Sequence, residues 1–247
     1  MNAAQWLDAW ERSTGLPPAL QPCALLAPLL PPDEPGPETW PLGLRDAALL
    51  DLHVALFGPA LNAATPCPAC HESLDLALDA RQLRVAPTPT TPAGAPADSE
   101  ADCLQHEGWR VHWRLPTSLD LAAAAAAADD STARRRLLQR CVRSAEHAGA
   151  AMDALALPPP LVRRLAQVLN DADPQALVEL ALHCPACSHD WTEIFDIGAY
   201  LVARVGLWAA QTQDQVHLLA RAYGWTEDET LRLSPARRSA YIERVLA

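Results

Sequence analysis

The chain has 247 residues, half of them hydrophobic, enough for one large domain or two small ones. Its 19 basic residues, all arginine, face 30 acidic ones, for a formal charge of −11, which is poorly suited to a phosphate backbone. Seven cysteines are an odd number for a secreted disulfide framework, and a reducing compartment fits them better.

The first segment reads as short helices broken by prolines. Residues 3–12 place Trp6, Leu7 and Trp10 at helical spacing, and the Pro-rich stretch from Pro31 to Pro41 separates them from a stronger helix over 44–57. That helix carries Leu49, Leu52 and Leu56 on one stripe and stops at Gly58-Pro59. Residues 1–60 are thus expected to form an N-terminal helical region.

Next comes Cys67-Pro68-Ala69-Cys70, and the same tetrapeptide returns as Cys184-Pro185-Ala186-Cys187. A C-P-x-C turn holds two thiolates on one side of a tight bend, which is half of a tetrahedral zinc site. Two such knuckles supply the four ligands at which a structural zinc site closes. Cys184 follows Cys70 by 114 positions, and closing such a loop costs about 4 kcal/mol by the logarithmic law. Structural zinc in small domains contributes about 10–16 kcal/mol near neutral pH, so the metal outweighs the closure. One structural zinc bound by Cys67, Cys70, Cys184 and Cys187 is the expectation.

Two local disulfides or redox pairs are the first rival, and a catalytic metal is the second. In thioredoxin-like proteins a C-x-x-C opens a helix, whereas here Leu74, Leu76 and Leu78 alternate along a strand over 73–79. Nucleobase deaminases need an upstream H-x-E, and the nearby candidate reads His53-Val54-Ala55. His71, His183 and His189 flank the knuckles and are expected to face solvent or to support the cysteines. Zinc knuckles often carry glycine after the second cysteine, where the backbone can need a positive φ. His71 and Ser188 occupy those positions here.

Residues 109–115 alternate apolar and polar and predict a half-buried strand, expected to pair with 73–79. Between them, Ala86 to Glu100 is rich in Pro, Thr and Ala and reads as a mobile hairpin loop. A helical insert is expected over 117–172. It comprises an alanine-rich helix capped by Ser118, a second over 132–148 after Asp129-Asp130, and a third from Pro160 to before Asp173-Pro174. Strands at 177–183 and 190–196 flank the second knuckle, completing a split zinc ribbon over 61–196. Arg134-Arg135-Arg136 reads as the solvated face of a helix.

Residues 197–247 predict a C-terminal helical region. Ile197, Leu201, Val205, Trp208, Thr212, Val216, Leu219 and Tyr223 form a long stripe, read as core packing against the N-terminal helices, with a docking face as the alternative. Thr226 and Glu229 have capping-box spacing for a short helix, and Ser234-Pro235 opens the last one. The fold class expected is α+β: mostly helical, with a small antiparallel zinc-ribbon sheet interrupted by a helical insertion. The polar start, with Asp8, Glu11 and Arg12, shows no signal-peptide pattern, and no apolar run is long enough to span a bilayer. A cytoplasmic protein, without membrane insertion, is expected.

Several stretches together carry a resemblance. Leu42-Gly43-Leu44-Arg45-Asp46 opens a helix ending Phe57-Gly58 before the first knuckle, and Arg114-Leu115-Pro116-Thr117-Ser118-Leu119-Asp120 follows. Asp173-Pro174-Gln175, Phe195-Asp196-Ile197, Ala222-Tyr223-Gly224-Trp225 and Leu233-Ser234-Pro235-Ala236-Arg237-Arg238 complete the order. Across most of residues 42–247 it resembles the baseplate proteins of contractile phage tails and related contractile injection systems, akin to the tail baseplate hub assembly family. The resemblance implies a structural or assembly role, with other baseplate or tail-hub proteins as partners and incorporation into a tail or injection particle. It implies no reaction. The alternative is a zinc-ribbon regulator that contacts nucleic acid or the transcription machinery, against which the acidic charge argues. A metal-dependent hydrolase would need an open zinc position, and four thiolates leave none.

Overall fold

The computed structural model describes residues 2–85 and 102–246. The loop expected over Ala86 to Glu100 lies outside the described residues. The chain is α+β, with helices and small antiparallel sheets, and divides into two compact units. One unit joins the first 32 residues to the chain from Gly198 onward, and the other comprises Asp33–Ile197. Among the described residues no helix is long and apolar enough to cross a membrane.

In the first unit, α1 (Ala3–Thr14) begins at a capping box in which Asn2 and Gln5 exchange hydrogen bonds, each 2.9 Å. It is followed by α2 (Gln21–Leu26), α7 (Ile197–Tyr223), α8 (Glu227–Arg232) and α9 (Pro235–Leu246). The α7 stripe is buried at Leu201, Val205, Thr212 and Leu219, and Leu7 of α1, Ala209 of α7 and Leu231 of α8 share a core with Trp10 and Trp208 around them. The polar Thr212 fits this buried stripe because its hydroxyl donates to the Trp208 carbonyl one turn back (2.8 Å). Thr226 caps α8 with Glu229 as the spacing predicts.

The second unit is built along α3 (Leu42–Phe57), which ends where Gly58 takes φ 83°. A hairpin of β1 (Ala60–Pro66) and β2 (Ser73–Asp79) holds the first knuckle at its tip, in register from Ala60–Asp79 to Pro66–Ser73. A second hairpin, β7 (Glu179–His183) with β8 (Asp190–Ile194), holds the other knuckle. Between them lies a four-stranded antiparallel sheet of β3 (Cys103–His106), β4 (Trp109–Trp113), β5 (Val142–His147) and β6 (Ala150–Met152), in that order. Val111, Trp113, Val142 and Ala145 of the sheet and Leu161 and Leu165 of α6 (Pro159–Ala172) form its core.

Three expectations are corrected in this unit. The strand at 109–115 pairs with β3 and β5, not with 73–79, whose neighbour is β1. The segment 117–172 is not wholly helical. The helix expected over 132–148 stops at Cys141 as α5 (Asp130–Cys141), and the chain turns directly into β5 and β6. Val142 and Ala145 have helical spacing, but the open edge of β4 supplies backbone partners that override it. Ala148 and Gly149, with φ of 52° and 82°, make the tight turn between β5 and β6.

The cap of α4 (Ser118–Ala125) is Thr117 rather than Ser118. Asp120 explains why. Its carboxylate has no exposed surface and accepts from the Thr117 N–H and hydroxyl, from Arg114 (2.6 and 2.9 Å) and from Arg140. Burial pushes this carboxyl up, but the two guanidiniums and the Thr117 amide hold it well below the usual carboxylate range.

A second polar junction joins α3 to distant parts of the chain. The Asp173 carboxylate accepts from the Gly43 N–H (2.8 Å) and lies 1.8 Å from where a Cβ on Gly43 would sit. Any side chain at 43 would expel it. Arg45, itself buried, donates to Asp46 (2.7 Å) and to Ser118 Oγ (2.8 Å), and Leu42 N–H donates to the Pro116 carbonyl. Gln175 donates to the Leu83 carbonyl and accepts from the Val85 N–H (3.2 and 2.7 Å), tying the chain before β7 to the chain after β2.

Burial pushes Asp46 up to about 6, with Asp196 and Asp173 adding to the rise and Arg45 opposing it. An unfolded aspartate titrates near 3.9, so between about pH 4 and 6 the folded chain holds a proton that the unfolded chain has lost. Asp46 therefore favours folding most at the acid end, and its contribution weakens as pH rises through 6. In Asp46→Asn that slope should vanish. The difference in unfolding free energy between the two proteins, measured by denaturant titration at pH 4 and 7, should change by up to about 3 kcal/mol. Asp120→Asn should cost about 3 kcal/mol at pH 7, since it leaves two guanidiniums without their anion. That loss should shrink as pH falls below the ordinary carboxylate pKa.

Candidate metal centre

Each knuckle is made by the same local device. After β1 the Cys67 N–H donates to the Glu72 carbonyl (2.8 Å) and the His71 N–H to the Cys67 carbonyl (2.9 Å). After β7 the Cys184 N–H donates to His189 (2.9 Å) and the Ser188 N–H to Cys184 (2.8 Å). Closing this turn requires a left-handed residue just past the second cysteine, and His71 and Ser188 have φ of 63° and 60°. The departure from glycine therefore leaves the knuckle shape intact at a backbone cost of about 1–2 kcal/mol each.

The two hairpins bring Cys67, Cys70, Cys184 and Cys187 together, with all four sulfurs within 4.8 Å of one another. Cys67 approaches Cys187 at 3.6 Å, and Cys70 approaches Cys184 at 3.6 Å. Sulfurs about 2.3 Å from a tetrahedral zinc are about 3.8 Å apart, whereas a disulfide would hold them at about 2.05 Å. No disulfide joins cysteines among the described residues. Cys67 and Cys184 are fully buried, and Cys70 and Cys187 are exposed.

The thiols do not share charge evenly. Burial raises Cys67, but hydrogen bonds from the amides of Cys70 and Ala69 and from the neighbouring thiols outweigh it and bring it down to about 6. Cys187 receives an amide bond from His189, yet the adjoining Cys70, Cys184 and Cys67 push it up to about 12. Cys70 is also raised, despite the Glu72 amide, by burial and by Cys184 and Cys67. The cluster accepts a first negative charge readily and resists the later ones, as coupled groups do. A divalent cation at its centre would remove that resistance.

The three flanking histidines stay outside the group. His71, His183 and His189 are exposed; His183 bonds Asp190 through Nδ1 (2.7 Å), and His189 stacks on Trp191. Strands, not helices, follow both knuckles, as the alternation at 73–79 predicts. Cys23, Cys103 and Cys141 lie outside the cluster, and burial raises Cys141 to about 11. The backbone amides that point at the sulfurs had no signal in the residue pattern, because any residue supplies them. No family model, curated protein or solved structure matches the chain.

The left-handed positions give a direct check. Ser188→Gly should raise the unfolding free energy by up to about 1 kcal/mol, the relieved backbone strain exceeding the added unfolded-state entropy. Ser188→Val should lower both stability and metal affinity, read by thermal melting and by competition with a zinc chelator.

Proposed function

We propose that this chain is a zinc-stapled, non-catalytic component or assembly factor of the baseplate of a contractile tail. The observation that carries the metal part is the convergence of four thiols from two knuckles 114 positions apart within 4.8 Å. Thiolate donors at tetrahedral spacing suit zinc. Four of them fill its coordination shell and leave no place for a reactive water, which favours a structural ion over a hydrolytic one. The hairpins around them would then form a zinc ribbon divided by the sheet and helices between.

The baseplate role rests on the resemblance in order and sequence. Supporting it, three of the stretches that carry the resemblance meet in one junction, where Gly43, Arg45 and Leu42 bond Asp173, Ser118 and Pro116. Those stretches thus have a structural reason to occur together. The acidic charge of −11 disfavours the nucleic-acid regulator. Partners would be other proteins of the tail hub.

Two measurements test the reading. Metal analysis of the purified chain should give close to one zinc per molecule, and Cys184→Ser should lose it together with a large part of the stability. In cells that make contractile particles, removing this protein should leave tubes without a normal baseplate when viewed by electron microscopy. Normal particles, or salt-dependent binding of the chain to DNA, would favour the regulator instead.

A further inference from the structure

The four cysteines differ in a way that a purely structural ion does not require. The second cysteine of each knuckle, Cys70 and Cys187, is exposed, while Cys67 and Cys184 have no exposed surface. The 3.6 Å approaches run between knuckles, and each joins the sulfur of an exposed cysteine to that of a buried one. Cysteine oxidation follows exposure, and a nearby second thiolate turns a sulfenic acid into a disulfide. Each cross-knuckle pair therefore has an exposed cysteine to attack and a buried one to resolve.

We propose that the centre is a peroxide-reactive site that closes into two disulfides, Cys67–Cys187 and Cys70–Cys184, as it releases its metal. This rests on the reading of the four thiols as a zinc centre. In each pair the exposed thiolate attacks the peroxide O–O bond and takes one oxygen as sulfenic acid, while the other oxygen leaves as hydroxide and is protonated to water. The buried thiolate then attacks the sulfenic sulfur. The S–S bond forms, the S–O bond breaks, and the second oxygen also leaves as water after protonation. Two sulfurs lose two electrons to one peroxide and two protons are taken from solvent. Two peroxides and four protons thus convert four thiolates into two disulfides and four waters, and the zinc departs as the free dication.

The pairing has a physical consequence that local disulfides would lack. Cys67–Cys187 spans 120 positions and Cys70–Cys184 spans 114, so both would still join the front of the chain to its back. A bond within a knuckle closes a loop of only a few residues and joins nothing else. Oxidation would remove the ion and keep the staple; chelation under reducing conditions would remove both.

The test uses the full chain with Cys103→Ser, which takes the half-buried thiol outside the cluster out of the reaction. Zinc content is measured first, in reducing buffer; a chain that holds none after loading overturns the zinc reading itself. The zinc-loaded chain is then titrated with hydrogen peroxide, released zinc is followed with a chromogenic chelator, and disulfides are mapped by mass spectrometry without reduction. Expected are one zinc released per two peroxides consumed, and peptides bearing the first knuckle linked to peptides bearing the second. The oxidised, zinc-free chain should melt at least about 5 °C above the reduced chain stripped by chelation. Zinc retained in excess peroxide, disulfides within each knuckle, or sulfinic acids in place of disulfides would each overturn the proposal while leaving the zinc reading intact.

Discussion

The meeting of two knuckles from opposite ends of the second unit is the constraint on which the rest depends. Each hairpin is a two-stranded ribbon, and such ribbons are marginal alone in water. Neither tip buries a core of its own: the alternating side chains Leu74, Leu76, Leu180 and Leu182 remain half-exposed. What stands in for packing is a cluster of four sulfurs, at which a structural zinc contributes about 10–16 kcal/mol near neutral pH. The sheet and helices between the hairpins are free to form their own core because the knuckles need only their spacing.

The hairpins are also held at their roots. Asp173 on Gly43 fastens the chain before β7 to α3, Gln175 fastens it to the segment after β2, and Arg45 links α3 to the start of α4. These contacts are polar and at least partly buried, so they tolerate little substitution: an unpartnered carboxylate or guanidinium in such a place costs more than the hydrogen bond is worth. Burial keeps Asp46 protonated to unusually high pH, with small additions from Asp196 and Asp173 that the neighbouring Arg45 opposes.

Much of this was legible in the residues, and the losses have physical causes. The cysteine spacing identified all four thiols because ligand geometry leaves few alternatives. Capping residues and helical stripes located α6, α7 and α8, since caps and periodicity are local. Strand β1, with the sequence Ala-Leu-Asn-Ala-Ala-Thr-Pro, has little intrinsic strand preference and exists because β2 pairs with it. Strand β5 was hidden in a helical pattern for the same reason. The junction around Arg45 could not be read, because adjacent opposite charges such as Arg45-Asp46 are ordinary on a helix surface. The need for glycine at position 43 shows only once Asp173 is seen against it.

Anchored roots also govern how the tips behave when the ion is absent. With Asp173 and Gln175 still engaged, the two cysteine pairs would not separate as free ends of a hundred-residue loop. They would remain tethered through two short arms, β1–β2 and β7–β8, and meet at the high effective concentration that a short tether imposes. Recapture of an ion by one knuckle would then recruit the other as an intramolecular step, so metal exchange at this site becomes a local event rather than a refolding of the chain.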